Sequence, residues 1–323
     1  MLARALLAGS VAAVGGAGVV IAAGLGDASR TDRWQALAPA PLERTEVAAA
    51  RIGRSIYVVG GFERGSAAGS HAVERYDIRR NRWSRVRAMP LGLNHSTATV
   101  HRGRLYVHGG YAGAGLTGPT AALLEYDPDR NRWRRLRSSG TPRAAHAAAV
   151  IGDRLYVAGG ADESGSLRSL EVFDFRTRRW RRGASFPGPP RNHTTGVAAG
   201  GRFYVLAGRD SSNLAVAERY LPRRKRWERL PSLRFARGGI ASVRLTRGRI
   251  VVFGGENLAP GGTTIAQVEL FDIARRRWRR LPDMLTPRHG LGGAALGDRV
   301  YALEGGPQPG FSFSRAIEFL DVR

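Results

Sequence analysis

Along residues 31–323, short apolar runs of strand length alternate with polar, glycine-rich turns. In one typical stretch, residues 146–151 are apolar, residues 154–160 read RLYVAGG, and Leu170–Asp174 reads LEVFD. Runs of this length, rich in β-branched and aromatic residues and bounded by turn residues, predict β-strands. No long stretch has helical periodicity. The pattern therefore predicts an all-β fold built from many short strands.

Six tryptophans recur at spacings of 49, 50, 47, 47 and 51 residues: Trp34, Trp83, Trp133, Trp180, Trp227 and Trp278. Glycine pairs such as Gly159-Gly160 keep the same period, and an aromatic residue precedes five of the tryptophans by seven positions. A fixed period of this size is typical of repeat architectures. Four short strands in each of six repeats predict a six-bladed β-propeller, with the tryptophans packed between neighbouring blades.

The register of the repeats also predicts how the propeller closes. The chain ends just after residues 316–322, which form the third strand of the last repeat, and no tryptophan strand follows them. The missing fourth strand lies at the other end of the chain, around Trp34. We therefore expect the N-terminal strand to complete the last blade, which would remove an exposed sheet edge.

The glycine pairs, the aromatic–aspartate pairs and the tryptophan seven residues after each aromatic together resemble the kelch family, over residues 31–323. The resemblance implies a kelch-type propeller with six blades. It implies no single function, because kelch propellers serve as enzymes, sugar binders and protein adaptors, and a fold alone does not define a function.

Residues 1–30 are predicted to be a signal peptide or a membrane anchor. Residues 5–26 carry no charge, and Arg4 is the only basic side chain before them. The run is long enough to span a bilayer. We expect the propeller to be exported to the periplasm, the cell surface or the medium, either released or held by an uncleaved anchor at residues 5–26.

The chain is strongly basic, with 51 Lys and Arg against 26 Asp and Glu and a net charge of +25. Lys225 is the only lysine, which favours a compositional bias over nucleic-acid binding. About half of the basic residues lie in five turns between third and fourth strands, at 79–87, 130–137, 176–182, 223–229 and 275–280. These turns either contact anionic lipid or remain solvated, and both interpretations stay open.

The loops before the first strands carry arginines and histidines that the resemblance places at the propeller mouth: Arg44, Arg143, Arg191, Arg237, Arg288, His95, His146, His193 and His289. Guanidinium groups bind carboxylates bidentately, so these residues are candidates for binding an anionic ligand such as a sugar acid. Alternatively, the arginines pair with glutamates that share one register in the third strands, at Glu74, Glu171, Glu218, Glu269 and Glu318. The second repeat departs, with Leu124 in that register.

The last repeat carries Glu304-Gly305 in the register of Gly159-Gly160. A carboxyl group at this position is a candidate general acid or base. Alternatively, the glycine pair has shifted by one residue to Gly305-Gly306.

Two functions follow from these patterns. The first is a binding module for a protein or an anionic glycan at the mouth. The second is a sugar-acid mutarotase, similar to the bacterial sialic-acid mutarotases, which are also kelch propellers; it would use the mouth arginines and Glu304. The absence of cysteine disfavours a copper oxidase resembling galactose oxidase, whose cofactor contains a cysteine-linked tyrosine, and excludes thiolate metal sites. The sequence predicts no cofactor and no metal site.

Overall fold

The computed structural model describes residues 33–323, so the predicted signal peptide or anchor at residues 1–30 lies outside the described residues. Six four-stranded antiparallel sheets form the blades of a propeller. No part of residues 33–323 is helical, and accordingly no described helix has the length and apolar character needed to cross a membrane. The predicted all-β propeller with six blades is confirmed.

In five blades the four strands follow one another in sequence from the axis outwards, and in the sixth the outermost strand comes from the N-terminal end of the described residues. The first strands are Ala48–Ile52, Thr97–His101, Ala147–Ile151, Thr195–Ala199, Gly238–Leu245 and Gly292–Leu296. The second strands are Ser55–Val59, Arg104–His108, Arg154–Ala158, Arg202–Arg209, Arg249–Glu256 and Arg299–Leu303. The third strands are Val73–Asp77, Leu123–Asp127, Leu170–Asp174, Asn213–Leu221, Val268–Asp272 and Ile317–Asp321. The fourth strands are Arg82–Arg85, Arg132–Leu136, Arg179–Gly183, Arg226–Arg229, Arg277–Leu281 and Gln35–Ala36.

The antiparallel pairing gives the propeller two distinct faces. The loops before the first strands and the loops after the second strands lie at one end of every blade, which we call the mouth face. Two pairs of two-residue strands extend this face: Arg44–Thr45 with Phe62–Glu63, and Ala161–Asp162 with Gly165–Ser166. The turns between third and fourth strands lie at the other end, which we call the turn face.

The second strands form the middle of the apolar core. In the first blade, Ile56, Val58 and Val59 are fully buried, as expected for a continuous apolar run covered on both sides by neighbouring blades. The first strands of successive blades contact one another in cyclic order, including the first strand of blade six against that of blade one. The ring around the axis is therefore closed.

All six tryptophans make the same bond between blades. The indole Nε1 of each donates to the backbone carbonyl of the residue four positions after the tryptophan of the preceding blade: Ala38, Arg87, Arg137, Ala184, Pro231 and Pro282. Trp34 and Trp278 are buried, whereas the other four are half-buried at the blade surface. The tryptophans thus pack between blades as predicted, and each also supplies a directional contact.

The N-terminal strand closes the last blade, as the register predicts. Gln35 pairs with Phe319 and Ala36 with Glu318. The strand is only two residues long, but Trp34 beside it is 2% exposed and packs against Phe253 of blade five. Its indole donates to the carbonyl of Pro282 over 3.0 Å. Closure therefore depends on this side chain as well as on strand pairing.

A chain that starts at Pro41 should be clearly less stable than one that starts at Thr31. The shorter chain loses Trp34, and removing a buried tryptophan costs about 3–5 kcal/mol. We expect its melting temperature to fall by several degrees. Thermal unfolding followed by circular dichroism measures this, with the chain that starts at Thr31 as the matched control. Equal melting temperatures would show that the N-terminal strand does not hold blade six.

Candidate functional site

A closed ring of backbone hydrogen bonds surrounds the axis at the mouth face. One residue from each blade, just before the first strand or at its start, forms it: Glu46, His95, Ala145, His193, Gly239 and Gly290. The carbonyl of each accepts from the next blade over 2.8–3.4 Å. All six have left-handed φ angles between 46° and 69°. Non-glycine residues adopt such angles rarely, so the ring imposes this backbone on whichever residue stands there.

Three side chains of this ring converge on one point. His95 Nε2 lies 3.0 Å from His193 Nε2 and 3.1 Å from Glu46 Oε2. The two imidazoles are 6% and 8% exposed. Together with the small ring residues Ala145, Gly239 and Gly290, they line an axial cavity of about 170 Å³. Polar side chains therefore line the mouth end of the axis, and the cavity that they leave is small.

Neighbouring polar groups hold each of the three side chains in place. Asn94 Oδ1 lies 2.7 Å from His95 Nδ1, and Asn192 Oδ1 lies 2.5 Å from His193 Nδ1. His289 Nδ1 lies 3.1 Å from Glu46 Oε1. The carboxylate of Glu256 is 3.6 Å from the same His289 nitrogen and forms an ion pair with Arg209. The cluster is thus part of a larger buried polar network.

Charge is distributed unevenly within this network. Although burial alone would raise the pKa of Glu46, its interactions with His95 and His289 hold that pKa well below the usual range. Burial lowers the pKa of His95 and, together with Arg209, that of His193. Burial alone would lower the pKa of His289, but the hydrogen bond to Glu46 and the charges of Glu46 and Glu256 together raise it. The network therefore favours the ionised forms of Glu46 and His289, whereas burial disfavours the charged forms of His95 and His193.

Of the four histidines predicted at the mouth, the structure brings together His95, His193 and His289. His146 lies apart, with its Nε2 2.9 Å from His108 Nδ1 and 3.1 Å from the Thr97 hydroxyl. Sequence reasoning missed Glu46. A signal was present, because Glu46 follows Arg44 by two positions, as His193 follows Arg191.

The five arginines predicted at the mouth are fully buried and paired with the third-strand glutamates of their own blades. The pairs are Arg44–Glu74, Arg143–Glu171, Arg191–Glu218, Arg237–Glu269 and Arg288–Glu318. The nitrogen–oxygen distances are 2.9–3.0 Å in the first four pairs and 3.5 Å in the last. The arginines therefore form the ion pairs that were one of the two alternatives in the sequence. Ligand binding by these arginines stays a prediction, and their contacts do not support it.

Each of these arginines also connects two blades. The carbonyl of Arg143 accepts from the amide of Gly110 in the preceding blade, while its Nη1 donates to the carbonyl of Gly159 in its own blade. Glu171 in turn accepts from the amide of Gly140 in the loop that leads into the blade. Burial lowers the pKa of Arg143, and it lowers that of Arg237 to about 10. The groups remain charged at neutral pH, so each depends on its partner.

Blade two replaces both members of the pair with leucine. Leu93 occupies the arginine register and Leu124 the glutamate register, and both are buried in one apolar cluster. Loss of one partner alone would leave a buried charge, which is strongly destabilising. The joint replacement explains why the departure at Leu124 is tolerated.

Glu304 occupies the position of the first glycine of a glycine pair. Its amide donates to Ala316, as that of Gly159 does to Ser169, and its φ of 54° matches the 66° of Gly159. The alternative of a glycine pair shifted by one residue is therefore wrong. The side chain is 0% exposed and accepts two hydrogen bonds of 2.9 Å from Arg44. Its role as a catalyst stays a prediction; the contacts make it a second carboxylate for Arg44.

This second carboxylate makes the junction between blades six and one sensitive to pH. Burial raises the pKa of Glu304 to about 7, against the opposing effect of Arg44. The charge of Glu74 raises it further, and Arg288 lowers it. Arg44 therefore faces two carboxyl groups, of which one titrates near neutral pH.

The turn face carries exposed arginines, as the sequence predicts. Aspartates at the ends of third strands bind some of them: Asp77 accepts from Arg80, and Asp272 from Arg275. The same aspartates accept from backbone amides of the turns. Contact of this face with anionic lipid stays a prediction.

The family model for the KLHDC2/KLHL20/DRC7 Kelch-repeats domain matches residues 46–235 and, in an overlapping match, residues 123–306. These matches cover most of the chain, which therefore belongs to the kelch-repeat family. The structure of YjhT has the same fold: it aligns with a TM-score of 0.73 and 16% identity, over 89% of this chain and 97% of that chain.

Similar curated proteins include Kelch-like protein 15 of Danio rerio (35% identical over 81 residues) and Kelch-like protein 34 of Homo sapiens (38% over 71). Kelch-like protein 9 of Mus musculus is 34% identical over 89 residues. The matched segments cover 25%, 22% and 27% of this chain but only 13%, 11% and 14% of those proteins. The chain is thus a kelch-repeat propeller, a fold that typically serves as a protein-interaction module.

Replacing Arg143 with leucine should destabilise the propeller by about 3–5 kcal/mol, because Glu171 is left buried and unpaired. The double variant Arg143→Leu/Glu171→Leu reproduces the combination found in blade two. We expect it to be more stable than the single variant although it changes more atoms. Denaturant midpoints of the wild type and both variants measure this. A double variant less stable than the single one would contradict the ion-pair account.

Glu304→Gln should remove a pH dependence of stability. Because the pKa of Glu304 is raised in the folded state, the stability that this group contributes is fully present at low pH and declines as pH rises through about 7. Between pH 5 and pH 8 the wild-type melting temperature should fall relative to that of the variant. Glu304→Gly restores the glycine found at this position in four of the other five blades and should give the same flatter profile. Parallel profiles for all three chains would refute this assignment.

Proposed function

We propose that this chain acts as a protein-interaction module that binds its partner on the mouth face. The observation that carries the proposal is the position of the exposed apolar side chains. Among the described residues, the large hydrophobic side chains that remain exposed are Leu116, Leu258, Leu285 and Phe311, at 51–61% exposure. All four lie in loops of the mouth face.

One of these side chains is supported by a buried neighbour. Phe311 packs against the buried Phe62, with ring centroids 5.0 Å apart, and still exposes 61% of its surface. Leu116 and Leu258 lie in the loops after the second strands of blades two and five. Exposed aromatic and aliphatic side chains on a fixed scaffold are suited to bury area against another protein at low cost in conformational entropy.

The contacts of the charged groups favour a protein partner over the alternatives. The five arginines predicted to bind an anionic glycan are 0% exposed, so their guanidinium groups are not available to such a ligand. The mutarotase alternative would need Glu304 to reach a substrate, and this side chain is also 0% exposed. The geometry therefore supports binding through the apolar loop tips better than catalysis at the axis.

Site-specific crosslinking tests which face binds. A photoreactive amino acid is placed at Phe311 or Leu258 on the mouth face, and at Arg178 on the turn face as the matched control. In cells that express the full chain, we expect a discrete protein adduct from the two mouth positions and none from the control position. The adduct from position 311 should disappear when Leu258 is also changed to Asp.

Adducts that form equally from both faces, or from Arg178 alone, would place the partner elsewhere and contradict the proposal. Leu258→Asp is not expected to affect folding, because the side chain is exposed. Unchanged thermal unfolding of that variant is the accompanying control.

A further inference from the structure

The side chains of Glu46, His95 and His193 meet at the axis, and the hydrogen bonds around them decide which of their atoms can donate and which can accept. Asn94 Nδ2 donates to the carbonyl of Gly115, so its Oδ1 is the atom that faces His95. In the same way, Asn192 Nδ2 lies 2.8 Å from the Ser166 hydroxyl and its Oδ1 faces His193. A carbonyl oxygen only accepts, so both imidazoles carry a proton on Nδ1.

A neutral imidazole with a proton on Nδ1 has a lone pair on Nε2. The Nε2 atoms of His95 and His193 lie 3.0 Å apart, with the Glu46 carboxylate 3.1 Å from the first, so in the neutral forms of both imidazoles three acceptor atoms face one another. Three acceptors at such distances repel one another unless a proton or a metal ion lies among them.

We propose that Glu46, His95 and His193 bind a divalent transition-metal ion, for which zinc is the expected occupant. Two nitrogens and one carboxylate oxygen are a ligand set that zinc uses in proteins. The ligand atoms lie within 4.8 Å of one another. Two zinc–nitrogen bonds of about 2.0 Å at the tetrahedral angle place the nitrogens about 3.3 Å apart, so little movement would be needed.

The hydrogen-bond partners of the three proposed ligands are of the kind that surrounds metal ligands in proteins. Metal-bound histidines commonly donate their second ring nitrogen to a fixed acceptor, and ligating carboxylates are themselves hydrogen-bonded. Asn94 and Asn192 fill the first role, and His289 fills the second at 3.1 Å from Glu46. The closed backbone ring fixes the three ligands relative to one another although they come from blades one, two and four.

The remaining ring positions leave space for a further ligand. Blades three, five and six place Ala145, Gly239 and Gly290 there, and none of these side chains can coordinate. The fourth coordination position is therefore open to water, or to a carboxylate of a bound molecule, from the axial cavity.

Metal titration of the untagged full chain tests the proposal. After treatment with a chelator, Zn²⁺ is titrated calorimetrically, and Co²⁺ is followed by its visible absorption. We expect one ion per chain for the wild type and for His71→Asn, a control whose imidazole lies 2.9 Å from the Met89 carbonyl, outside the cluster. His95→Asn and His193→Asn should bind Zn²⁺ at least about tenfold more weakly. Asparagine suits the left-handed backbone of both positions.

A second readout separates ligand loss from misfolding. Zn²⁺ should raise the melting temperature of the wild type and of the His71→Asn control, because it binds the folded state alone, and should not raise that of the two cluster variants. If the wild type takes up no stoichiometric ion, or if His95→Asn binds Zn²⁺ as tightly as the wild type, the cluster holds a shared proton only and the proposal is overturned.

Discussion

Buried arginine–glutamate pairs hold this propeller together, and the rest of the structure depends on them. In blade three, the backbone of Arg143 accepts from the preceding blade, its guanidinium binds the second and third strands of its own blade, and Glu171 fixes the incoming loop. Buried charge is costly unless it is fully paired. In the five blades that carry them, the pairs therefore act as specific contacts that fix the blade against its neighbour, while the apolar core and the tryptophans supply the area of contact.

At the axis, the backbone conformation is the same in all six blades, whereas the side chains differ. The backbone ring at the axis repeats in every blade, with left-handed φ angles and bonds between blades. The side chains at those positions take no part in the ring itself, so they can differ. In this chain, blades one, two and four place Glu46, His95 and His193 there, and the scaffold brings them within hydrogen-bonding distance.

The two faces of the propeller differ in physical character. The mouth face carries the exposed apolar side chains, whereas the turn face carries arginine-rich turns that are partly bound by aspartates. Much of the positive charge therefore lies away from the mouth. This distribution suits a mouth face that contacts a partner by burying apolar surface, and it leaves the turn face solvated or available to anionic surfaces.

The sequence by itself determined the strands, the six blades and the closure at Trp34, because strand pairing within a blade is local and repeats with the chain. It also placed Glu304 in a glycine register. Only the tertiary structure decided that the arginines face glutamates and not a ligand, since register does not show which side chains are buried together. The sequence likewise could not predict the axial cluster. His95 and His193 are 98 positions apart, and only closure of the ring brings them and Glu46 to one point.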